Sequence, residues 1–586
     1  MCGIVGEAGN WKYTSPGDST VAKMADTLVH RGPDDQGVQT ISGRDWRVNM
    51  AMRRLAIIDR EHGQQPFHAG RASVMFNGEI YNHKRLRKHF GLMCNTDCDG
   101  EVIARLYDMI GLECIKHLEG MFTIAIWDRK ERRLHLVRDR MGKKPLYYYW
   151  DQGRNLIVWG SEIKAILAHP SISKELNREA IYHYLSLQYV PEPMTAYEGV
   201  MAVPGGSILT YDYQVPFANL SKYWELGTNR VEVPGRETML QQIRGTVRNA
   251  VHDRLESEVP LGVYLSGGID SSIVTMLAKE QIEDLHTFTM GFEENEFNEL
   301  PAARQTARYF GTQHHEEVVK VPCLPEMADR IVDQYDQPFG DCSAIPTMLM
   351  AESSKKYITV ALTGDGGDEA FGGYTRYWTA QQTAGLPGYL GYLCVFPFPA
   401  RDQLISLEFR NHLTCEHTGA LLMDHAIRFR GNGLRNNYMW VDTHSYLPND
   451  IIVKMERASM AASVEARCPF LDHRVFELAF SIEDEDKIEG DQGKLVLKDA
   501  FKSQLPVQVL SRPKQGFGVP ISEWFRAEHG QQLLAHMVSD LNWPWGIFEP
   551  KFCSQIIHNH LRGTLNIGHA LWVLLMAHLW LKKHFG

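Results

Sequence analysis

The sequence has no apolar run long enough to cross a lipid bilayer. Its longest such stretches, Tyr389–Ala400 and Ala570–Leu581, fall short of the roughly 20 residues that a hydrocarbon core of about 30 Å requires. The N-terminus lacks a basic region followed by an apolar segment, so no secretory signal is expected. Ten cysteines lie singly along 586 residues, as in a reduced, cytosolic protein. The closest pair, Cys94 and Cys98, has no companion Cys or His cluster to complete a zinc site. The formal net charge of −10, with no basic tract, gives no reason to expect nucleic acid. There is no low-complexity segment and no internal repeat. What remains is a chain 44% hydrophobic and 23% charged, ordinary for a soluble globular protein and too long for a single core. A soluble, cytoplasmic protein of two or more domains is expected, without nucleic-acid or membrane partners.

The texture of the chain changes once. Up to about Tyr189 it is dense in short β-like runs separated by Gly or Asn turns, among them Val74–Phe76, Phe122–Trp127, Leu134–Val137 and Leu156–Trp159. Helical stretches at Ser19–Val29 and Gly100–Met109 interrupt them, which predicts a layered α+β domain. Val190-Pro191-Glu192-Pro193 breaks the pattern, and a Pro/Gly-rich connection continues through Pro204-Gly205-Gly206. The boundary is placed there, with domains over 1–195 and 210–586. Beyond Tyr223, strands at Val263–Leu265, Phe288–Gly291 and Tyr357–Leu362 alternate with helices at Met239–Leu255 and Ser271–Glu283. That alternation predicts a parallel, doubly wound α/β sheet, and past Glu369 the chain reads as largely helical.

Chemistry begins at the second residue. Loss of Met1 would give Cys2 a thiol and a free α-amine on one residue. Such an amine titrates at about 7.7–8.0 and a thiol at about 8.5, so the amine can accept the thiol proton near neutral pH. Four polar clusters follow: His30–Asp35, Arg53–Asp59, Phe76–Asn82 and Asp97–Glu101. Singly each would pass for a loop or turn. In this order behind Cys2 they resemble the glutaminase domain of class II glutamine amidotransferases, which are N-terminal-nucleophile (Ntn) hydrolases with a four-layer αββα fold. The resemblance implies that Cys2 attacks L-glutamine, with the Asn77 side chain and the Gly78 N–H as oxyanion hole. It further implies that Arg54 clamps the substrate α-carboxylate, while Glu79 and Asp99 hold its α-ammonium.

The second half carries Val263-Tyr264-Leu265-Ser266-Gly267-Gly268-Ile269-Asp270-Ser271-Ser272, an apolar strand running through glycines into a helix start. Glycines there let main-chain N–H groups approach phosphate, and the helix N-terminus adds positive partial charge. The Gly-Lys-Ser/Thr ending of a Walker A loop is missing. Ser-Gly-Gly-x-Asp-Ser instead resembles the PP-loop of ATP pyrophosphatases, with Leu265, Ser266, Gly267, Gly268, Asp270 and Ser271 contacting ATP. Further segments are similar to the synthetase domain of the asparagine synthetases. Phe288–Phe292, with Met290, looks like the adenine-contacting segment; Thr363 and Gly364 open Thr363–Glu369, which would face the same nucleotide. By resemblance Asp270 and Asp368 are the Mg²⁺ carboxylates and Asp365 is tied to adenylate chemistry. Lys514, in Arg512–Phe517, would neutralise departing pyrophosphate. Arg457 and Arg467 are read as core ion pairs, since buried arginines are usually paired.

The resemblance to glutamine-hydrolysing asparagine synthetases covers nearly the whole chain, with Tyr377–Val441 its least familiar part. It implies ATP and Mg²⁺ as cofactors, a carboxylate activated as acyl-AMP, an apolar ammonia tunnel between the domains, and a homodimer. L-Aspartate is the first choice of acceptor. Many aspartate-specific members carry Thr-x-Arg-Ala-Ser where this sequence has Gln337–Ala344, so a cell-wall, glycan or natural-product carboxylate stays open. So do a non-catalytic nucleotide-binding homologue and a hydrolase that merely consumes glutamine.

Overall fold

The computed structural model describes residues 2–586 apart from 228–230, 320–323, 384, 415–416, 517 and 541–545. Phe517 of the basic loop therefore lies outside the described residues. The N-terminal part is built on two six-stranded antiparallel sheets. One runs in the order Val200–Ala202, Tyr147–Asp151, Leu156–Gly160, Cys2–Asn10, Trp46–Arg54, Asp35–Ser42. The other runs Phe217–Lys222, Ser207–Asp212, Arg133–Arg138, Gly120–Asp128, Ala72–Ile80, Phe67–Ala69.

The period-two alternation of side chains explains the layering. On Gly120–Asp128, Ala125 and Trp127 pack with Ile4, Met50, Met75 and Trp159 between the sheets. Phe122, Ile124 and Ile126 face the opposite way, onto Val102, Ile103 and Leu106 of helix Asp99–Ile110. On the first sheet Val5 turns outward to Val21, Met24 and Leu28 around helix Ser19–Asp26. The stack is helix, sheet, sheet, helix, as the Ntn-hydrolase resemblance implies. One expectation is corrected. Residues 196–209, left between the two domains, and 210–222, placed in the second, supply the strands Val200–Ala202, Ser207–Asp212 and Phe217–Lys222 to these sheets. Val190-Pro191-Glu192-Pro193 leads from helix Arg178–Leu187 towards the strand Val200–Ala202, and Pro204-Gly205-Gly206 crosses from one sheet to the other, both inside the unit.

The second part centres on a parallel sheet in the order Gln313–Val318, His286–Gly291, Leu261–Tyr264, Val360–Leu362, Glu465–Arg467. The chain starts at Leu261–Tyr264, moves outward on one side, then returns to add Val360–Leu362 on the other. Strand order thus reverses beside Leu261–Tyr264. In an open α/β sheet a crevice forms at the carboxyl ends of the strands at such a point, and ligands bind there. The remainder is mainly helical and ends in Gly568–Phe585, whose apolar face is buried. No helix among the described residues is long and apolar enough to cross a membrane.

Buried ion pairs join the two parts. Arg31 Nη1 lies 2.8 Å from Glu162 Oε1, and Nη2 pairs with Glu456. Arg457 meets Glu162 at 2.7 Å and Asp336 at 3.4 Å. These guanidiniums are fully enclosed, so their charges are compensated inside the protein. The reading of Arg457 and Arg467 as core ion pairs holds.

Candidate active sites

Cys2 begins the strand at the centre of its sheet and pairs across to Arg54. Its main-chain nitrogen, the atom that removal of Met1 would free as an amine, donates to Asn77 Oδ1 at 2.9 Å. That contact orients the amide of Asn77 so that Nδ2 is the outward donor, with only a long 3.5 Å contact to Thr123 Oγ1. Burial pushes the Cys2 thiol up. Asn77, Gly78 and Glu79 are consecutive on Ala72–Ile80. A Cβ on Gly78 would stand 1.9 Å from the Met121 carbonyl oxygen, and its φ is +148°, so only glycine brings the strand this close.

Glu79 and Asp99 form the negative end of the site. Asp99 Oδ2 accepts the Ile80 N–H at 2.7 Å. Burial first, and then the Asp99 carboxylate, pushes Glu79 well above the usual carboxylate range; burial also raises Asp99. Two buried carboxylates of this kind favour a nearby cation, and the Arg467 guanidinium lies 3.2 Å from Glu79 Oε1. Arg54 is placed differently from the simple clamp expected of it. Its Nη1 donates to the Arg60 carbonyl at 3.1 Å, and its Nη2 to Ile58 and Asp59 at 3.2 and 2.7 Å. It shapes the 58–60 loop as well as facing the site.

The second site forms at the strand-order reversal. Leu261–Tyr264 runs through Leu265–Gly268 into helix Ile269–Lys279. Ser271 Oγ lies 3.0 Å from Ser266 Oγ, and Gly267, at φ +73°, packs against Ala302. The loop after Val360–Leu362 approaches closely: a Cβ on Gly367 would meet Asp270 Oδ1 at 2.4 Å. Asp270 and Asp368 are thereby brought together, and Lys494 bridges them, pairing with Asp270 and lying 2.7 Å from Asp368 Oδ1. Lys514 Nζ lies 2.7 Å from Asp368 Oδ2. Despite burial, Lys494 and Lys514 hold Asp368 well below the usual carboxylate range; burial raises Asp270.

Lys494 was missed in the sequence. Its left-handed backbone, φ 59°, costs a non-glycine residue roughly 1 kcal/mol and aims the ammonium into the crevice. The available signal was Gly493-Lys494 ahead of the apolar helical run Leu495–Phe501, with a cation where a helix start favours an anion. Asp365 stands apart from the ion cluster, accepting from Thr363 Oγ1 at 2.7 Å. Met290 is buried at the end of His286–Gly291.

Asp270 Oδ1 is buried without a hydrogen-bond partner among the described residues, which suits a divalent cation. No group of three or more His, Cys, Asp or Glu placed for a metal occurs among those residues. Magnesium commonly needs only one or two carboxylates beside phosphate oxygens and water.

Two family models match the chain: a glutamine amidotransferase domain over residues 1–224 and asparagine synthase over residues 242–582. The first ends where the strands of the antiparallel sheets end. Among curated proteins the chain is similar to asparagine synthetase (glutamine-hydrolyzing) 1 of Bacillus subtilis (strain 168), 30% identical over 99% of this chain and 96% of that one. It is also similar to asparagine synthetase (glutamine-hydrolyzing) 3 of the same organism, 29% identical over 91% and 90% of the two chains. The Arabidopsis thaliana protein named asparagine synthetase (glutamine-hydrolyzing) 3 is 30% identical, over 88% and 78%.

Proposed function

This chain belongs to the asparagine synthase family, with a glutamine amidotransferase domain ahead of the synthase domain, and we propose that it converts L-aspartate to L-asparagine with glutamine as nitrogen donor and ATP as activator. The observation that carries the reading is the meeting of Asp270, Asp368, Lys494 and Lys514 at the carboxyl ends of two central parallel strands, in a chain that also sets Cys2 against Asn77.

At the first site the Cys2 sulfur attacks the glutamine side-chain carbon after its proton passes to the α-amine. The developing oxyanion is met by Asn77 Nδ2 and the Gly78 N–H. Collapse expels ammonia and leaves a thioester, which water hydrolyses to glutamate. Glu79 and Asp99 bind the α-ammonium and Arg54 the α-carboxylate. At the second site the aspartate side-chain carboxylate attacks the α-phosphorus of ATP and pyrophosphate departs. Ammonia then attacks the acyl carbon and AMP leaves. Lys494 and Lys514 balance the charge of the leaving pyrophosphate. Asp270 and Asp368 would hold Mg²⁺, which when bound neutralises phosphate charge.

Ammonia must cross between the sites unprotonated. A cavity of about 20 Å³ beside Met121, Met455 and Cys468 has room for one or two molecules of water's size. Lys143, Lys144, Asp365 and Glu456 also line it, so a route there is not the wholly apolar tunnel that the resemblance implies. Burial lowers Lys144, and its neighbour Lys143 is pushed down to about 8. The homodimer and cytoplasmic location implied by the resemblance belong to the same proposal.

The test is pyrophosphate release with ATP, Mg²⁺ and glutamine, with and without L-aspartate, and mass detection of asparagine. Aspartate-dependent pyrophosphate with equimolar asparagine is expected. Glutaminase activity with neither product would move the reading to another carboxylate. One observation favours that second reading: Asp341, paired with Lys454 at 2.7 Å, stands in the segment where an arginine would receive the acceptor.

A further inference from the structure

Between the two sites runs the short strand Glu465–Arg467, at one edge of the parallel sheet. Arg467 pairs with Leu362, and its carbonyl oxygen accepts the Thr363 N–H at 3.0 Å. Thr363 opens the loop that carries Asp365 and Asp368. The next residue, Cys468, accepts from Thr363 Oγ1 at 3.2 Å. The main chain at Arg467 is thus fastened to the nucleotide loop at its first residue.

The Arg467 side chain points to the other site. Nε donates to Glu465 Oε1 at 2.7 Å, and Nη1 donates to the carbonyls of Arg254 and Glu256 at 2.8 and 2.6 Å. Nη2 lies 3.2 Å from Glu79 Oε1. Arg467 is fully buried, and Nη2 has no aligned hydrogen-bond acceptor among the described residues. The contact with Glu79 is therefore electrostatic and not closed. The guanidinium is one rigid plane, and Glu465 rides on the same strand. A small movement of the strand would therefore tilt the whole group against the Arg254 and Glu256 carbonyls and complete or release the Nη2 contact. Arg31 and Arg457 also join the two halves, but among the described residues neither has a hydrogen bond or ion pair to the 363–368 loop.

We infer that Arg467 is a positioning residue that couples occupancy of the nucleotide loop to glutamine affinity, its guanidinium competing with the substrate α-ammonium for Glu79. The inference rests on the assignment of Glu79 as an α-ammonium ligand. Ordering of the loop around bound nucleotide draws on Thr363, hence on the strand, and withdraws Nη2 from Glu79. Glutamine then binds more tightly when the synthetase site is filled. Linkage makes the effect reciprocal, so glutamine tightens nucleotide binding by the same factor.

The experiment is calorimetric titration of glutamine into the full-length Cys2→Ala protein, which binds without turnover. It is run with and without α,β-methylene-ATP, Mg²⁺ and L-aspartate together. Tightening by about fivefold or more is expected, the lower end of common coupling strengths. In Cys2→Ala/Arg467→Met the ratio should fall below about twofold on the same scale. A ratio near one in the parent, or an unchanged ratio in the Arg467→Met protein, overturns the inference. Should Arg467→Met fail to fold, Glu79→Gln on the other side of the contact is expected to abolish the ratio, and a ratio that persists there overturns it equally. Failure of the functional assignment looks different: the Cys2→Ala parent would show no glutamine binding under either condition, and the wild type would form no amidated product.

Discussion

The two proposed reaction sites are built by opposite means. The glutamine site lies on strands held by main-chain ladders: Cys2 opposite Arg54, and Asn77, Gly78 and Glu79 in a row on one strand. All of it falls within the first hundred residues. The nucleotide site draws on loops at 265–271 and 363–368, on Lys494 and on Lys514, joined by side-chain ion pairs across more than two hundred residues. A ladder keeps its geometry when one side chain is changed. A buried ion cluster does not, because removing one member leaves another charge uncompensated. The first site is rigid by construction and the second is held by its own chemistry, so the two should respond differently to single substitutions.

The largest separation is expected from Cys2→Ala. Glutamine-dependent synthesis should fall by about 10⁴-fold or more, as for loss of a nucleophile, while ammonia-dependent synthesis stays within about twofold of wild type, since the ladder is intact. Parallel assays with glutamine and ammonium chloride check this, and equal loss in both would break the comparison. Lys494→Ala should have the reverse signature. Pyrophosphate release is expected to drop by about 10³-fold, a typical loss for a preorganised charge at the reacting group. Glutaminase turnover without ATP should change by less than about threefold, by the independence of distant sites.

Glu79→Gln sharpens the picture within the first site. Removing one charge of the ammonium pair should raise the glutamine KM by about 30-fold, near 2 kcal/mol, with little change in the rate at saturation. The smallest effect is a pH dependence. Because burial and Asp99 raise Glu79, the residue takes up a proton as pH falls through a value above the ordinary 4.3 or so. Its negative charge, and with it glutamine affinity, is lost on that acid side. The glutamine KM should therefore rise as pH falls, at most about tenfold per pH unit. Ammonia-dependent synthesis at constant free NH₃ should lack this limb, and in Glu79→Gln only a limb from Asp99, also raised by burial, should remain; a profile unchanged in that variant would sink the assignment.

Much of both sites was legible because local chain chemistry writes it. Gly78 must be glycine, since a Cβ there would stand 1.9 Å from the Met121 carbonyl oxygen. Gly267 takes a positive φ beside a helix, and the strand–glycine–helix order of 261–279 shows in sequence as it does in the fold. The helical run Ala570–Leu581 is buried as its composition implied. Lys494 was not legible, since its partners Asp270 and Asp368 lie 224 and 126 positions away. Nor was the occupation of Arg54 by carbonyls at 58–60, nor the true extent of the first unit. Turns rich in Pro and Gly occur within sheets as readily as between domains.

The sequence by itself determined the two features on which the proposed chemistries rest: a cysteine that would carry its own base, and a glycine loop at the start of a helix suited to phosphate. Periodicity of two and of 3.6 likewise dictated the layers, because burial of one face is a local property of the residue pattern. Only the tertiary structure decided which charges meet. Coulomb energy depends on distance and surrounding dielectric, and both are set by packing. That is how Lys494 comes to bridge two loops, how Asp270 and Asp368 are pushed in opposite directions, and how Arg467 comes to touch the carboxylate of one site while its backbone holds the loop of the other.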